Sequence, residues 1–186
     1  MILYIHGFAS SGMSAKARIV RDYFKTEVIA PSLSYVPDLA IDTLKQLIER
    51  TLPHEPVHLM GSSLGGFYAI HLAERYDLKA VLINPSIHPY QTLSNYTGMV
   101  NNFYDLTTFE WNHRHIETLK QLKIETIQKP QRFLVMLQTG DETLDYRIAK
   151  EKLQGADMII EEGGSHAFDG FENHLERIQH FFHTPL

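Results

Sequence analysis

Residues 57–66 read VHLMGSSLGG, and this stretch decides the fold. Its first four residues form a short, mainly apolar run that is typical of a strand buried on both faces. From Leu64 through Ala73, large apolar residues recur at helical spacing. The glycines between the two halves allow a tight turn. The stretch therefore predicts a strand, a sharp turn and a helix in direct succession.

This turn carries a candidate nucleophile. Residues 61–65 fit the pattern G-x-S-x-G, in which a serine occupies a strained turn and only glycine fits two residues away on either side. Ser63 has glycine at both offsets, whereas Ser62 would have Met60 and Leu64 there. We therefore expect Ser63 to be the nucleophile and the Leu64 amide, at the start of the helix, to stabilise an oxyanion. The alternative, a glycine-rich phosphate cradle, lacks the Lys and Ser or Thr of a P-loop.

The rest of the chain alternates short apolar runs with helical segments. Strong strand candidates lie at 2–5, 57–60, 80–83 and 133–137, and weaker ones at 27–30 and 158–160. Helical spacing occurs at 41–48, at 64–73 and, as one apolar stripe, at 171–182. Because such alternation requires crossover connections, we expect a three-layer α/β fold: a mainly parallel sheet of about six strands with helices on both faces, in one domain over residues 1–186.

One long segment breaks this alternation. Residues 85–130 contain no clear strand, and aromatic residues crowd there among Asn, Thr and His. An insertion of this length is typical of a lid or binding loop, so we expect a lid at about 85–130. The alternative is a pair of ordinary surface helices whose aromatic side chains fill the core.

The acid and the base should follow the nucleophile in chain order. Enzymes with this turn order their triad as Ser, then Asp or Glu, then His, each near the end of a strand. Asp141 follows the strand at 133–137 most closely, and Asp145 is the reserve candidate. His166, on a glycine-rich loop after the last strand, is the expected base, because the histidines that follow it lie on or beyond the terminal helix.

The loop after the first strand should supply the second oxyanion donor. Its sequence begins with His6 and Gly7, and the Phe8 amide is the expected donor because glycine lets the backbone approach a substrate oxygen. His6 is expected to brace this loop and not to act as a base. His113 and His115 have a metal-like spacing without a convergent carboxylate set, so we expect lid surface there and no metal site.

Composition excludes several classes of function. With 17 Lys and Arg against 22 Asp and Glu, the net charge is −5, and nucleic acid is not an expected partner. The absence of cysteine excludes disulfides, thiolate zinc sites and cysteine nucleophiles. No signal peptide or membrane span is recognisable, so a soluble, cytoplasmic protein is expected.

These motifs together resemble the α/β hydrolases and, more narrowly, the YqiA-like bacterial esterases. The matching segments extend over nearly the whole chain: HGFASSGMSAK at 6–16, GSSLGG at 61–66, NP at 84–85, TGDE at 139–142, LDYR at 144–147, HAF at 166–168 and GFE at 170–172. The resemblance implies hydrolysis of small acyl esters or acyl thioesters without a cofactor. It also assigns nucleophile, acid and base to Ser63, Asp141 and His166.

Three residues depart from this family pattern: Gly12 replaces Pro, Ser165 replaces Asn, and His88 replaces Arg. The last change, at the start of the lid, leaves a preference for anionic substrates open. We expect a serine esterase that acts on a small-molecule ester or thioester through an acyl-enzyme intermediate. The rivals are a serine peptidase with the same triad, an inactive binding protein that uses the aromatic insertion, and a metal-dependent hydrolase built on His113 and His115.

Overall fold

The computed structural model describes residues 1 to 185, in which six parallel strands form one sheet. In chain order the strands of the protein are β1 (Ile2–Ile5), β2 (Val28–Ile29), β3 (His58–Ser62), β4 (Lys79–Ile83), β5 (Gly98–Asn101), β6 (Thr108–Trp111), β7 (Phe133–Gln138) and β8 (Asp157–Glu161). The main sheet has the order β2-β1-β3-β4-β7-β8, and β5 and β6 form a separate antiparallel hairpin. The six strands predicted from the sequence are all present, within one or two residues of their expected ends.

Residues 1 to 185 contain seven α-helices besides the sheet, and some of them begin at side chains that cap them. They are α1 (Ala15–Phe24), α2 (Pro37–Thr51), α3 (Leu64–Tyr76), α4 (Pro89–Thr92), α5 (His113–Gln121), α6 (Tyr146–Lys152) and α7 (Leu175–His183). Short 3₁₀ turns lie at 25–27, 93–96, 130–132 and 171–174. The Asn112 side chain accepts hydrogen bonds from the first turn of α5, and Asp145 caps α6 in the same way.

The sheet has a buried core on each face, as the continuous apolar strands predict. In β1, Leu3 and Ile5 join one cluster, and Ile2 and Tyr4 join the other, because successive side chains point to opposite faces. The first cluster includes buried residues of α2, α3, α5 and α6, and the second includes those of α1 and α7. The expectation of a mainly parallel sheet with helices on both faces is confirmed.

The segment at 85–130 differs from the expectation in one respect: it contains the hairpin β5–β6 besides α4 and α5. Along β6, Phe109 and Trp111 are buried while the residues between and before them are exposed. Trp111 also donates its indole N–H to the Leu93 carbonyl at 3.1 Å. Other aromatic residues of the segment, such as Phe103, stay exposed. Part of the insertion therefore packs into the core, and part projects from the domain.

The parallel sheet places five loops at one edge. Loops that follow β1, β3, β4, β7 and β8 all leave the carboxyl ends of their strands, and the candidate residues lie on these loops. Ligands of open α/β sheets bind at this edge. In the described part of the chain, no helix is both long enough and apolar enough to cross a bilayer.

Candidate active site

The turn between β3 and α3 holds Ser63 in a strained conformation. Its backbone angles are φ 56° and ψ −120°, in the positive-φ region that side chains other than glycine rarely adopt. A Cβ at Gly61 would collide with the Gly65 carbonyl, and a Cβ at Gly65 would collide with the Ile5 carbonyl of β1. The glycines at both offsets are thus required by close backbone packing, as the sequence pattern predicted.

The Ser63 hydroxyl lies within hydrogen-bond distance of His166. The distance from its Oγ to His166 Nε2 is 2.9 Å, although the two residues are 103 positions apart in the chain. The His166 side chain is 23% exposed, so the imidazole remains open to a bound molecule. This contact has the distance that a serine and its general base require.

The other nitrogen of the imidazole faces Asp141. His166 Nδ1 lies 2.8 and 3.0 Å from the two carboxylate oxygens. Because the ionised carboxylate can only accept a hydrogen bond, the partners favour the tautomer in which Nδ1 carries the hydrogen and Nε2 accepts from Ser63. The three side chains therefore form a continuous hydrogen-bonded chain from carboxylate to hydroxyl.

Asp141 is held ionised by its surroundings. Its side chain is only 2% exposed, and this burial by itself raises the pKa of the carboxyl. The hydrogen bond with His166 and those from the backbone N–H groups of Leu144 and Thr143, at 2.8 and 2.9 Å, outweigh the effect of burial. The net result is a pKa below the ordinary value. The carboxylate is thus charged at neutral pH.

Asp145 has a different environment. Its carboxylate caps the first turn of α6 and binds the Arg147 guanidinium through Nε and Nη2, at 2.7 to 3.1 Å. Of the two aspartates considered from the sequence, Asp141 contacts His166, whereas Asp145 is an exposed helix cap.

Two buried amide side chains hold the loop that carries His166. The Asn84 side-chain N–H group donates to the carbonyls of Ser165 and His166 at 3.0 and 3.2 Å. The Gln138 side-chain oxygen accepts from the N–H groups of Ser165 and Asp169 at 3.0 and 2.8 Å. Asn84 and Gln138 are 2% and 3% exposed, so these hydrogen bonds are screened from water. The loop of His166 therefore rests on side chains from β7 and from the loop after β4.

A lysine from α1 contacts the same loop. Lys16 Nζ donates a hydrogen bond to the Ala167 carbonyl, one residue after the candidate base, and lies 5.9 Å from the centre of the Phe171 ring. Burial lowers the pKa of Lys16 to about 8, with a smaller opposing effect from the Asp169 carboxylate. Lys16 thereby connects the first helix to the loop of His166.

The expected oxyanion donors lie beside Ser63. The loop after β1 passes so close that a Cβ at Gly7 would lie 3.2 Å from the Cβ of Ser63. Within residues 1 to 185, neither the Phe8 nor the Leu64 backbone N–H donates a hydrogen bond to the protein. Both amides are therefore available to an external acceptor.

His6 braces this loop. Its Nε2 accepts the Leu33 N–H at 2.9 Å, so its Nδ1 carries the hydrogen that faces the Gly7 carbonyl at 2.8 Å. Burial lowers the pKa of His6, which the bond to Gly7 partly opposes. The neutral ring therefore fixes the backbone just before Phe8.

His113 and His115 do not form a metal site in the part of the chain that the structure describes. His115 is 6% exposed, packs against Trp111 and accepts the Asn112 N–H at the start of α5. Its partner His113 is exposed. Among the described residues, no three His, Cys, Asp or Glu side chains converge on a point where they could hold a metal ion. The expectation that His115 belongs to the lid surface is therefore wrong, because His115 is a buried residue that caps α5.

The sequence patterns assigned no role to Asn84, Gln138 or Lys16. A signal was present for the first two, because each is a polar amide directly at the end of a strand buried on both faces. At the carboxyl edge of a parallel sheet, such a residue lies beneath the loops of the site. Lys16 ends the segment at 6–16 that matches the family pattern, but its position in the first turn of a helix predicted solvent exposure and not a contact with the loop of His166.

Comparisons with known proteins agree with this architecture. Residues 1–183 match the model of an uncharacterised protein family, UPF0227. A UPF0227 protein from Citrobacter koseri is 24% identical, covering 97% of this chain and 98% of its own length. The UPF0227 protein YcfP from Escherichia coli is 23% identical with the same coverage.

Solved structures are similar at lower sequence identity. Est1E from Butyrivibrio proteoclasticus, solved with ferulic acid bound, is 12% identical with a TM-score of 0.69, covering 97% of this chain and 86% of that one. The mouse α/β hydrolase domain-containing protein 10 is 15% identical with a TM-score of 0.69, covering 96% and 86%. These similarities confirm the expected family and fold: the chain belongs to UPF0227 and has the α/β-hydrolase fold.

Proposed function

We propose that this protein is a serine hydrolase of carboxylic esters, with Ser63 as nucleophile, His166 as general base and Asp141 as the acid that orients the base. The observation that carries the proposal is the unbroken hydrogen-bonded chain from the Asp141 carboxylate through His166 to the Ser63 hydroxyl. Each of its members occupies the position that a triad requires, and the serine lies on a strained turn beside two free backbone amides.

In the first half-reaction, His166 Nε2 takes the Ser63 hydroxyl proton as Oγ forms a bond to the ester carbonyl carbon. The carbonyl oxygen becomes an anion, and the Phe8 and Leu64 amides donate hydrogen bonds to it. When the tetrahedral intermediate collapses, the bond to the leaving oxygen breaks and Nε2 returns its proton to that oxygen. The products are an alcohol and an acyl group bound to Ser63.

In the second half-reaction, His166 removes a proton from water, and the resulting oxygen attacks the acyl carbon. The bond to Ser63 Oγ breaks, the serine recovers the proton from Nε2, and the carboxylic acid leaves. Throughout, the Asp141 carboxylate stabilises the imidazolium and keeps its orientation. No cofactor takes part in these steps.

The leaving group is an alcohol or a thiol. The same triad would serve a peptidase, because triad geometry does not select the bond that is cleaved. Parallel rates on a 4-nitrophenyl ester, an acyl thioester and a 4-nitroanilide with one common acyl group test this. We expect turnover of the ester and the thioester and none of the anilide.

The decisive experiment measures the intact mass of the protein after exposure to a fluorophosphonate, beside the Ser63→Ala variant. An activated serine attacks phosphorus and expels fluoride, so the parent protein should gain one adduct and the variant none. Ester turnover by the variant should fall by about 10⁴-fold or more. A parent protein without an adduct would overturn the proposal and favour a binding protein. A variant that keeps most of its turnover would overturn the assignment of Ser63 and point to a different nucleophile.

A further inference from the structure

A cavity of about 210 Å³ lies beside Ser63, between the loop after β1 and the hairpin β5–β6. Gly7, Phe8 and Leu64 line it, so both candidate oxyanion amides belong to residues of its wall. Ser63 is not itself a lining residue, but it directly precedes Leu64, and a Cβ at Gly7 would lie 3.7 Å from its Oγ, so the nucleophile is next to two residues of the wall. A group bound in it would be continuous with a carbonyl held at Ser63.

The position of the cavity determines which half of an ester it receives. Its walls come from the segments after β1 and β2, from α3 and from the hairpin, and His166 is not among the lining residues. The base comes from the loop after β8, which is the outermost strand on the side of β3 away from β1 and β2. Because the base must protonate the leaving group, the leaving group lies toward His166. The acyl group then lies on the other side of Ser63, in the cavity.

Aromatic side chains form much of the wall. The rings of Tyr35 and Phe109 stack with centres 4.5 Å apart, and Phe8 meets Phe109 edge to face at 5.8 Å. Tyr68, which is 3% exposed, forms another part of the wall. Flat aromatic walls of this kind suit an apolar, ring-sized group.

The cavity also contains one free hydrogen-bond donor. In the described part of the chain the Tyr68 hydroxyl makes no hydrogen bond to the protein, yet it is not fully enclosed, so its accessible surface faces the cavity. Burial, and the nearby Asp38 carboxylate to a smaller degree, raise the pKa of Tyr68, so the phenol keeps its proton. An unpaired donor on a side chain that is 3% exposed is costly unless a ligand or water accepts from it.

The hairpin β5–β6, which lines one side of the cavity, is hydrogen-bonded to the loop after β1, which lines another side. At the tip of the hairpin, the Phe103 N–H donates to the Ala9 carbonyl at 2.7 Å, and the Asn102 side chain donates to the Ser10 carbonyl at 3.3 Å. These hydrogen bonds connect the lid directly to the loop that carries Phe8. The size of the cavity is therefore set by two segments that hold each other in place.

We propose that this cavity is the acyl subsite of the hydrolase and that it takes a compact acyl group, such as benzoyl or a linear acyl group of four to six carbons, in preference to a long fatty acyl chain. The proposal rests on the function proposed above. The size of the cavity supports this preference, because an apolar cavity of about 150 Å³ already holds benzene. A volume of about 210 Å³ therefore accommodates one ring and its carbonyl carbon but not an extended chain of ten carbons.

The first test is a series of 4-nitrophenyl esters: acetate, butanoate, hexanoate, benzoate and decanoate. We expect kcat/KM to be highest for butanoate, hexanoate and benzoate and at least about tenfold lower for decanoate, the size of effect that a pocket of fixed size produces. A kcat/KM that is equal or still rising at decanoate would overturn the proposal.

Two substitutions test the walls. Tyr35→Ala and Phe109→Leu enlarge the cavity, so each should raise the ratio of decanoate to butanoate kcat/KM by about tenfold. Tyr35 is 47% exposed, so its replacement carries little risk to folding. Tyr23→Ala, at a partly exposed tyrosine on α1, is the matched control and should leave the ratio unchanged. A ratio that stays the same in both wall variants would show that these residues do not limit acyl size.

A binding measurement separates failure of this subsite from failure of the proposed chemistry. Calorimetry with the Ser63→Ala protein and the uncleaved methyl esters of benzoic and decanoic acid requires no catalysis. We expect methyl benzoate to bind at least about tenfold more tightly than methyl decanoate, with the difference reduced by Tyr35→Ala. If the parent protein has no esterase activity but this preference is found, the proposed function fails and the subsite stands. If neither ester binds, or methyl decanoate binds as tightly, the subsite fails whatever the activity.

Discussion

The backbone N–H of Gln138 donates a 3.0 Å hydrogen bond to the side-chain oxygen of Asn84, and this bond joins two amides beneath the loop of His166. That loop begins with Gly163 and Gly164, both at positive φ, so its own backbone restrains it little. The two amide side chains restrain it by binding backbone groups of the loop, and the Glu142 carboxylate also accepts the His166 N–H at 2.9 Å. The orientation of the imidazole is thus set by the sheet as well as by Asp141.

Replacing Gln138 with leucine should slow catalysis without abolishing substrate binding. The change keeps the approximate size of the side chain but removes its hydrogen bonds to Ser165 and Asp169. Because a shift of about 1 Å in a catalytic group can cost about 100-fold, we expect kcat to fall by about 10- to 100-fold with KM nearly unchanged. Kinetics normalised to the fraction of protein that a fluorophosphonate labels would measure this.

A purely structural role for Gln138 would give a different result. The melting temperature would then fall while kcat per labelled site stayed at the parent value. Gln154→Leu, at an exposed glutamine just after α6, is the matched control and should change neither quantity.

The sequence predicts the strands and helices of the fold more completely than it predicts the contacts that support the site. Strands such as β1 and β7 are continuous apolar runs, because both faces of a parallel strand are buried. The hairpin was missed because β5 is almost fully exposed and only Phe109 and Trp111 of β6 are buried, so neither strand forms an apolar run. Its stability depends on contacts with the loop after β1, which one segment of sequence cannot reveal.

At the site, too, the sequence predicts some residues and not others. Chain order and the glycine-rich turn selected Ser63, Asp141 and His166, and in the structure His166 lies within hydrogen-bond distance of the other two. The supporting contacts of Asn84 and Gln138 arise only when β4 and β7 pair and the loop after β8 folds over them. Sequence patterns report local geometry well, whereas such contacts depend on the tertiary arrangement.

Asp141→Asn and Asp145→Asn should have very different effects. Asparagine at 141 cannot stabilise the imidazolium and can favour the wrong tautomer of His166, so kcat should fall by about 10⁴-fold. Asparagine at 145 still caps α6, because it is as good an N-cap as aspartate, so kcat should stay near the parent value. Steady-state rates on one ester compare the two variants, and similar losses in both would remove the assignment of Asp141 as the acid.

Lys16 should determine how kcat/KM changes with pH on the alkaline side of neutrality. Its ammonium group binds the Ala167 carbonyl, and its pKa is lowered to about 8 by burial. The charge is therefore present below about pH 8 and lost above it, and a hydrogen bond from a charged donor is stronger than one from a neutral donor. We expect kcat/KM of the parent protein to decline as the pH rises through about 8.

Two variants check this assignment. The Lys16→Arg protein, which stays charged, should retain kcat/KM to higher pH, and Lys16→Met should show a lower value without an inflection near pH 8. Profiles measured from pH 6 to 10 would contradict the role of Lys16 if the parent and Lys16→Arg curves coincided.

A second pH effect concerns the free energy of unfolding and lies far from the site. His58, at the start of β3, stacks on Phe182 with ring centres 4.8 Å apart. Burial lowers its pKa to about 4, and the positive charges of the N-terminal amine and Lys79 add to this effect. In the unfolded chain the pKa of histidine is about 6.5, so between about pH 6.5 and 4 the unfolded state binds the extra proton. The free energy of unfolding should therefore fall as the pH drops through this window.

His58→Gln removes the titrating group and should make this fall shallower. Other histidines whose pKa values are also lowered, such as His6 and His71, preserve part of it. Urea unfolding at pH 7, 5.5 and 4.5 gives the free energies to compare. Equal losses between pH 7 and 4.5 in parent and variant would mean that His58 is not kept neutral by the fold. A smaller loss in the variant would show that a cation at this position, beside the N-terminal amine and Lys79, opposes folding in acid.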